Sequence, residues 1–363
     1  MGGMDFAPIL RLLLLAGLLA LLPLGWLWLR RPQARAGQRL AALTGLVMFL
    51  TFDLIVFGAF TRLSDSGLGC PDWPGCYGHA SPIGAAADIH AAQTAMPTGP
   101  VTFSKAWIEM IHRYLAMTVG TLIIVLTIGS WLRRRELKLS PWWPTATLAW
   151  VVLQGLFGMW TVTLKLNPAI VTLHLLGGMV LLALLTAQRE ALRGRALHWP
   201  AGALRLLLIV FALLVLQIAL GAWVSSNYAV LACSGFPQCN GSWWPDMDFG
   251  HGFTFKRELG RAGDGEFLPF EALVAIHMVH RLVAVLAAAA LLLLAHRLWR
   301  RLALPRPALL LLGLTLLQVA SGLSNVVLGW PLAAALVHTG GAALLVAVLS
   351  SLWARATLAR AAS

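Results

Sequence analysis

Residues 58–78 read GAFTRLSDSGLGCPDWPGCYG, and residues 221–241 read GAWVSSNYAVLACSGFPQCNG. The two stretches align without a gap, so that Gly58, Ala59, Leu68, Cys70, Pro74, Cys76 and Gly78 all recur 163 positions later. The match continues beyond them. IHRYLA (111–116) returns as VHRLVA (279–284), LQGLFG (153–158) as LQVASG (317–322) and HLLGG (174–178) as HTGGA (338–342), at offsets of 163 to 168. One such match can arise by chance; four in the same order mark an internal duplication.

The duplicated material is membrane-spanning. The 363 residues are 59% hydrophobic and 11% charged, more apolar than a soluble domain of this size requires. Apolar runs of helix length lie near 9–29, 40–60, 108–131, 145–163, 169–188, 203–224, 272–295, 307–328 and 332–353. Each approaches the ~20 residues that a bilayer requires of a helix. Spans two to five and six to nine are the two copies, and the first span stands outside the duplication. The expected fold is therefore an all-α polytopic membrane protein. It has two pseudo-twofold-related four-helix transmembrane bundles plus an extra N-terminal transmembrane helix. Residues 1–39 form the N-terminal anchor and a basic loop, 40–190 the first bundle and 191–363 the second. An even number of spans per copy gives both the same orientation, with the pseudo-twofold axis along the membrane normal, unlike an inverted repeat.

Charge sets the orientation. The net charge of +13 is concentrated in alternate short loops: RRPQARAGQR (30–39), RRRELK (133–138), Arg189 to Arg205, HRLWRR (296–301) through Arg306, and the tail with Arg355 and Arg360. Basic loops are retained in the cytoplasm, which puts the C-terminus inside and both cysteine loops in the periplasm. No nucleic-acid partner is expected, because no basic patch lies on a soluble domain. Arg11 precedes a stronger basic cluster after the first span, so that span reads as an uncleaved anchor rather than a signal peptide.

Of ten histidines, His112, His174, His280 and His338 lie within spans, one to two turns from the outer start of their helices. A single intramembrane histidine is commonly one that hydrogen-bonds across helices. A pair at matching depth, present twice, points instead to function, and two neutral imidazoles inside a bundle suit axial ligation of heme iron. Arg113 and Arg281 follow His112 and His280 directly. They suit either heme propionates, which Arg grips in bidentate fashion, or snorkelling to water. Glu109 lies one turn before His112 on the same face; its counterpart in the second copy is His277. Beside a heme, Glu109 suits general acid–base work or stabilisation of positive charge; elsewhere it would be a solvated residue at a helix start. The asymmetry suggests one substrate heme and one held as cofactor. His79, His90, His198, His251 and His296 lie in loops or at span ends and receive no role.

Each outer loop holds one C-x5-C pair, Cys70 with Cys76 and Cys233 with Cys239. In an oxidising compartment disulfides are the default, ahead of a four-cysteine zinc site that would need the two loops to meet. Spacing does not separate a brace from an electron-exchanging pair.

With TRLSDSGLGCPDWPGC (61–76), EMIHR (109–113), the QG…HLLGG segment (154–178) and the second His pair, the chain resembles the heme A synthase family over roughly residues 40–353. That resemblance implies an oxidoreductase of cytochrome oxidase assembly in the bacterial inner membrane. It would oxidise the C8 methyl of heme O to a formyl group, through an alcohol and a gem-diol. It implies that His112 and His174 flank the substrate heme, that Glu109 is catalytic, and that His280 and His338 ligate a heme b cofactor. It also implies disulfides at Cys70–Cys76 and Cys233–Cys239. The first span departs from the usual eight. Two histidines on the substrate iron leave no open position for oxygen, so oxidation is expected to begin at the porphyrin methyl, with Glu109 moving protons or stabilising a cation. Heme O is the substrate. Contact with the heme O synthase, whose apolar product would otherwise partition into lipid, and homo-oligomer formation are compatible with this reading. The competing classes are a bis-His b-type cytochrome linking quinone to periplasmic thiols, and a heme transporter.

Overall fold

The computed structural model describes residues 7–30, 33–137 and 139–362. Arg31, Pro32 and Lys138, which belong to two of the basic loops, lie outside the described residues, as do residues 1–6 of the N-terminal segment.

Eleven α-helices run in the order α1 (Ala7–Arg30), α2 (Ala36–Leu63), α3 (Ala86–Ala95), α4 (Phe103–Leu132), α5 (Trp142–Thr163), α6 (Pro168–Arg193), α7 (Ala201–Ser226), α8 (Phe249–Gly252), α9 (Phe270–Arg300), α10 (Pro305–Val327) and α11 (Leu332–Ala362). Among the described residues, nine of them are long and apolar enough to cross a membrane. The chain is an all-α, multi-pass membrane protein. Several helices outrun the apolar stretch read from sequence, as α9 does by continuing to Arg300. Helical hydrogen bonding continues past the hydrocarbon into the basic ends, where charged side chains reach water. The short helix α3 was not anticipated: its Ala-rich sequence, AADIHAAQTA, has high intrinsic helicity but no apolar span to announce it.

The chain divides into two compact units. The first comprises Met1–Leu166 and Leu184–Gly194; the second comprises Asn167–Ala183 and Arg195–Ser363. In the first, α4 packs against α1, α2 and α5. Leu12, Ala16 and Ala20 are buried at intervals of four residues, while Leu10, Leu13, Leu14, Leu18, Leu21 and Leu22 are exposed. Small residues on one face let α1 approach its neighbour closely, and the leucine face suits lipid. Hydroxyls within α2 are satisfied locally: Thr44 donates to the Leu40 carbonyl and Thr51 to that of Val47, each at 2.8 Å. In hydrocarbon no water would take those bonds. The start of α4 is fixed by Thr102, whose hydroxyl accepts from the Lys105 N–H at 3.2 Å.

In the second unit α9 packs against α7 and α10, and α11 against α10 and α7. The segment between α7 and α9 is organised around Arg257. This buried guanidinium donates to the carbonyls of Thr254 (3.1 Å) and Arg261 (3.2 Å) and to the Asn227 side chain. It also lies over the Trp223 ring at 5.6 Å. Nearby, Asp248 caps α8 and accepts from His251 Nδ1 at 2.6 Å. The backbone N–H of His251, together with that side-chain bond, holds the Asp248 carboxyl below its ordinary range, and the side-chain bond raises the His251 imidazole.

Candidate functional site

The two cysteine loops fold alike. Cys70 and Cys76 form a disulfide with Cα atoms 4.9 Å apart, and Cys233 and Cys239 one at 4.7 Å. Each loop closes with a two-way backbone pair, Cys76 with His79 (2.8 and 2.9 Å) and Cys239 with Ser242 (2.9 and 3.0 Å). Each also contains a cis peptide bond before its proline, Trp73–Pro74 and Phe236–Pro237. The stabilising side chains differ. In the first loop the Asp72 carboxylate accepts from the N–H groups of Tyr77 and Gly78 at 2.6 and 2.7 Å. In the second, Asn240 accepts from Ser234 N–H and donates to the Ala232 carbonyl, both at 2.9 Å.

The arginine after each outer histidine ties its loop down. Arg113 donates to the Asp72 carbonyl at 2.8 Å, to that of Pro74 at 3.3 Å and to that of Gly75. Arg281 donates to the carbonyls of Gln238, Cys233 and Gly235 at 3.2, 3.3 and 3.0 Å. Neither arrangement is a side chain stretched toward bulk water. Glu109, only 4% exposed, is likewise no solvated helix-start residue. One carboxylate oxygen accepts from the Cys70 N–H at 2.8 Å, and the other forms an ion pair with Arg113. A buried carboxylate is tolerable when paired and hydrogen-bonded in this manner. His277, in the equivalent place, is also buried, and its Nδ1 lies 2.9 Å from the Ala229 carbonyl. Thus one position reaches its outer loop as an acid in the first unit and as an imidazole in the second.

His112, His280 and His338 each rest against a glycine of a neighbouring helix. A Cβ added at Gly58 would lie 3.0 Å from His112 Cε1; at Gly221, 3.0 Å from His280 Cε1; at Gly322, 3.1 Å from His338 Cε1. Absence of a side chain is what lets the Cε1 edge of each ring approach the adjacent backbone. His280 and His338 belong to one unit and lie within electrostatic reach of one another. His280 contacts the Gln217 amide at 3.0 Å, and His338 the Ser321 hydroxyl at 3.0 Å. His112 lies in the first unit, stacked on Phe57 at 6.3 Å between centroids and 8° between planes. His174 sits in the segment Asn167–Ala183, grouped with the second.

Sequence reading missed Gln217, Ser321 and the loop-clamping role of the two arginines. Signals were present: the glycines recur in the alignment, and Gln217 and Ser321 are polar where the first copy carries Leu54 and Phe157.

The chain matches the model of the family described as "Cytochrome oxidase assembly protein" over residues 41–350. It is 39% identical over 317 residues to the heme A synthase of Shewanella oneidensis, covering 86% of this chain and 95% of that protein. The heme A synthase of Rhizorhabdus wittichii is 27% identical over 344 residues, covering 89% and 94% respectively. That of Caulobacter vibrioides is 28% identical over 335 residues, covering 84% and 92%.

Proposed function

Because the chain belongs to the cytochrome oxidase assembly protein family, and within it to the heme A synthases, we propose that it oxidises the C8 methyl of heme O to the formyl group of heme A. Heme O is the substrate, and His112 and His174 are the histidines assigned to it. The bundles follow the duplicated sequence, residues 40–190 and 191–363, with the cysteine loops periplasmic and the C-terminus cytoplasmic. That orientation is supported by the basic loops on the opposite side of the spans from the cysteine pairs.

The observation that carries the reading is the asymmetry at one position. The buried Glu109–Arg113 pair stands one turn from His112, whereas His277 stands one turn from His280. A fixed carboxylate beside the reacting edge of a porphyrin can stabilise positive charge as the methyl loses electrons, and can accept the proton that leaves. The N–H of Cys70 and the guanidinium of Arg113 hold its two oxygens and so fix its direction. Both oxidations, methyl to alcohol and alcohol to gem-diol, occur at the same carbon, each taking up one oxygen atom and giving two electrons to an external oxidant, so one carboxylate serves both. Loss of water from the gem-diol then gives the aldehyde.

The second unit fits a resident heme b. His280 and His338 are the ligands, each seated on a glycine whose Cβ would fill the seat, and the buried Gln217 Oε1 beside them has no hydrogen-bond partner. When bound, heme b supplies one-electron exchange. Arg281 keeps the outer loop over that site through its three carbonyl bonds.

Co-expression with a heme O synthase, followed by extraction and mass spectrometry of the hemes, tests the reading. Heme A or its hydroxylated precursor is expected; heme b alone would overturn it in favour of a b-type cytochrome. Gly221→Ala probes the second seat separately. A methyl 3.0 Å from the His280 ring forces it to shift by a few tenths of an ångström. The expected result is heme b content lowered roughly tenfold, as for other losses of ligand orientation, read by pyridine hemochromogen absorbance. Undiminished content would show that the seat does not position the ligand.

A further inference from the structure

His174 has no polar anchor at Nδ1, which is buried and has no hydrogen-bond partner among the described residues. The placement of its ring therefore rests on α6, the helix that carries it, and on whatever holds that helix. Asn167 stands immediately before α6, two turns ahead of His174 and on the same face. Its Oδ1 accepts from the N–H groups of Ala169 and Ile170 at 3.1 and 3.4 Å, which caps the helix, and Pro168 fills the first helical position. The other end of the same amide, Nδ2, donates to the Arg257 carbonyl at 3.0 Å. One side chain thus both caps α6 and ties it to the segment between α7 and α9.

That carbonyl is a fixed target. The Arg257 guanidinium is spread over the carbonyls of Thr254 and Arg261 and the Asn227 side chain, and lies over the Trp223 ring. Trp223 in turn donates from Nε1 to the Gly252 carbonyl at 2.9 Å, and Asn227 donates to the Trp223 carbonyl at 2.8 Å. Two further contacts hold α6 to the same region. Ala169 packs on the buried cluster that includes Trp223 and Ile276, and the Thr172 hydroxyl lies 3.4 Å from that of Ser226 at the end of α7. All of these residues belong to the second unit. The other copy has no equivalent tie: the residue as far before His338 as Asn167 is before His174 is Pro331, whose side chain neither donates nor accepts.

We propose that Asn167 and Arg257 are positioning residues for His174. The segment between α7 and α9 anchors the outer end of α6 and thereby sets the depth and rotation at which this histidine meets a heme. This deepens the assignment of His174 to heme O and rests on it. The physical basis is general: a side chain two turns from a helix end moves with that end, and a displacement of about 1 Å at a reacting group costs up to about a hundredfold.

The test uses the purified full-length protein carrying heme b, titrated with ferric heme O in detergent. Asn167→Asp keeps the capping oxygen and removes the donor that meets the Arg257 carbonyl. Heme O binding is expected to weaken roughly tenfold to a hundredfold. A high-spin signal should appear in the electron paramagnetic resonance spectrum only after heme O is added, because a displaced His174 no longer completes its axial pair. Heme b content should stay at the wild-type level, which general unfolding would not permit. Arg257→Lys keeps the charge but cannot span three acceptors, and should act in the same way; if it loses heme b by misfolding, Asn167→Asp decides alone. Wild-type heme O affinity and spin state in Asn167→Asp would overturn the proposal, as would an equal loss of heme b in that variant. His174→Ala separates the two levels. Wild-type heme O binding and spectrum in His174→Ala would remove the assignment of His174 to heme O. Weakened binding there, beside wild-type behaviour of Asn167→Asp, would remove only the positioning role.

Discussion

Glu109→Gln is expected to lower heme A formation at least about a hundredfold while heme b stays bound, the scale of a lost acid–base or charge-stabilising group. The substitution keeps the side chain's size, and the amide oxygen can still accept from the Cys70 N–H that now meets the carboxylate at 2.8 Å. What disappears is the negative charge and the ion pair with Arg113. Arg113 retains its bonds to the carbonyls of Asp72, Pro74 and Gly75, so the disulfide loop should stay seated. Chromatography of the extracted hemes should show heme O in place of heme A, with an unchanged heme b absorbance. Normal heme A production by this variant would rule out Glu109 as the catalytic carboxylate.

His280→Ala or His338→Ala should produce the opposite pattern. Loss of an axial ligand from the second unit should leave heme b below about a tenth of its normal content, and heme A formation should fall with it. The two variants should behave alike, because each imidazole lies against a glycine in the same unit and neither has a substitute ligand in its seat. His277 is the nearest alternative on α9, one turn away, but its Nδ1 is engaged with the Ala229 carbonyl at 2.9 Å. Heme content thus separates the variants: kept in Glu109→Gln, lost in the two histidine variants. If His280→Ala kept a full heme b signal, the second unit would not be the cofactor site.

The fold class was legible because membrane spans are written in long apolar runs, and the duplication because Cys70, Cys76 and their neighbours recur in register. The outer ends were less legible. Helix α3 has no periodic apolar face to mark it, and the Arg257 cluster depends on carbonyls of Thr254 and Arg261 that carry no side-chain signature. The histidines could be chosen by position, but what surrounds them could not. Arg113 and Arg281 read as ligands for propionates or as snorkelling residues. The structure engages them with backbone carbonyls, acceptors that every residue possesses and no sequence pattern singles out. Ser321 was hidden in a different manner, since a serine inside a span usually bonds only to its own helix. It does so here as well, while its oxygen also lies 3.0 Å from His338 Nδ1.

The glycine seats bear on how two copies of one gene can part company. A side chain gained at Gly58, Gly221 or Gly322 adds a Cβ to which the facing imidazole must yield by a few tenths of an ångström. Change at those positions therefore disturbs a histidine directly in either half of the chain. Positions 54 and 217, and 157 and 321, carry no such restriction and already differ between the halves. A freshly duplicated ancestor with two equivalent heme pockets could thus have specialised through the neighbours of its histidines, with the ligands and their seats left untouched throughout.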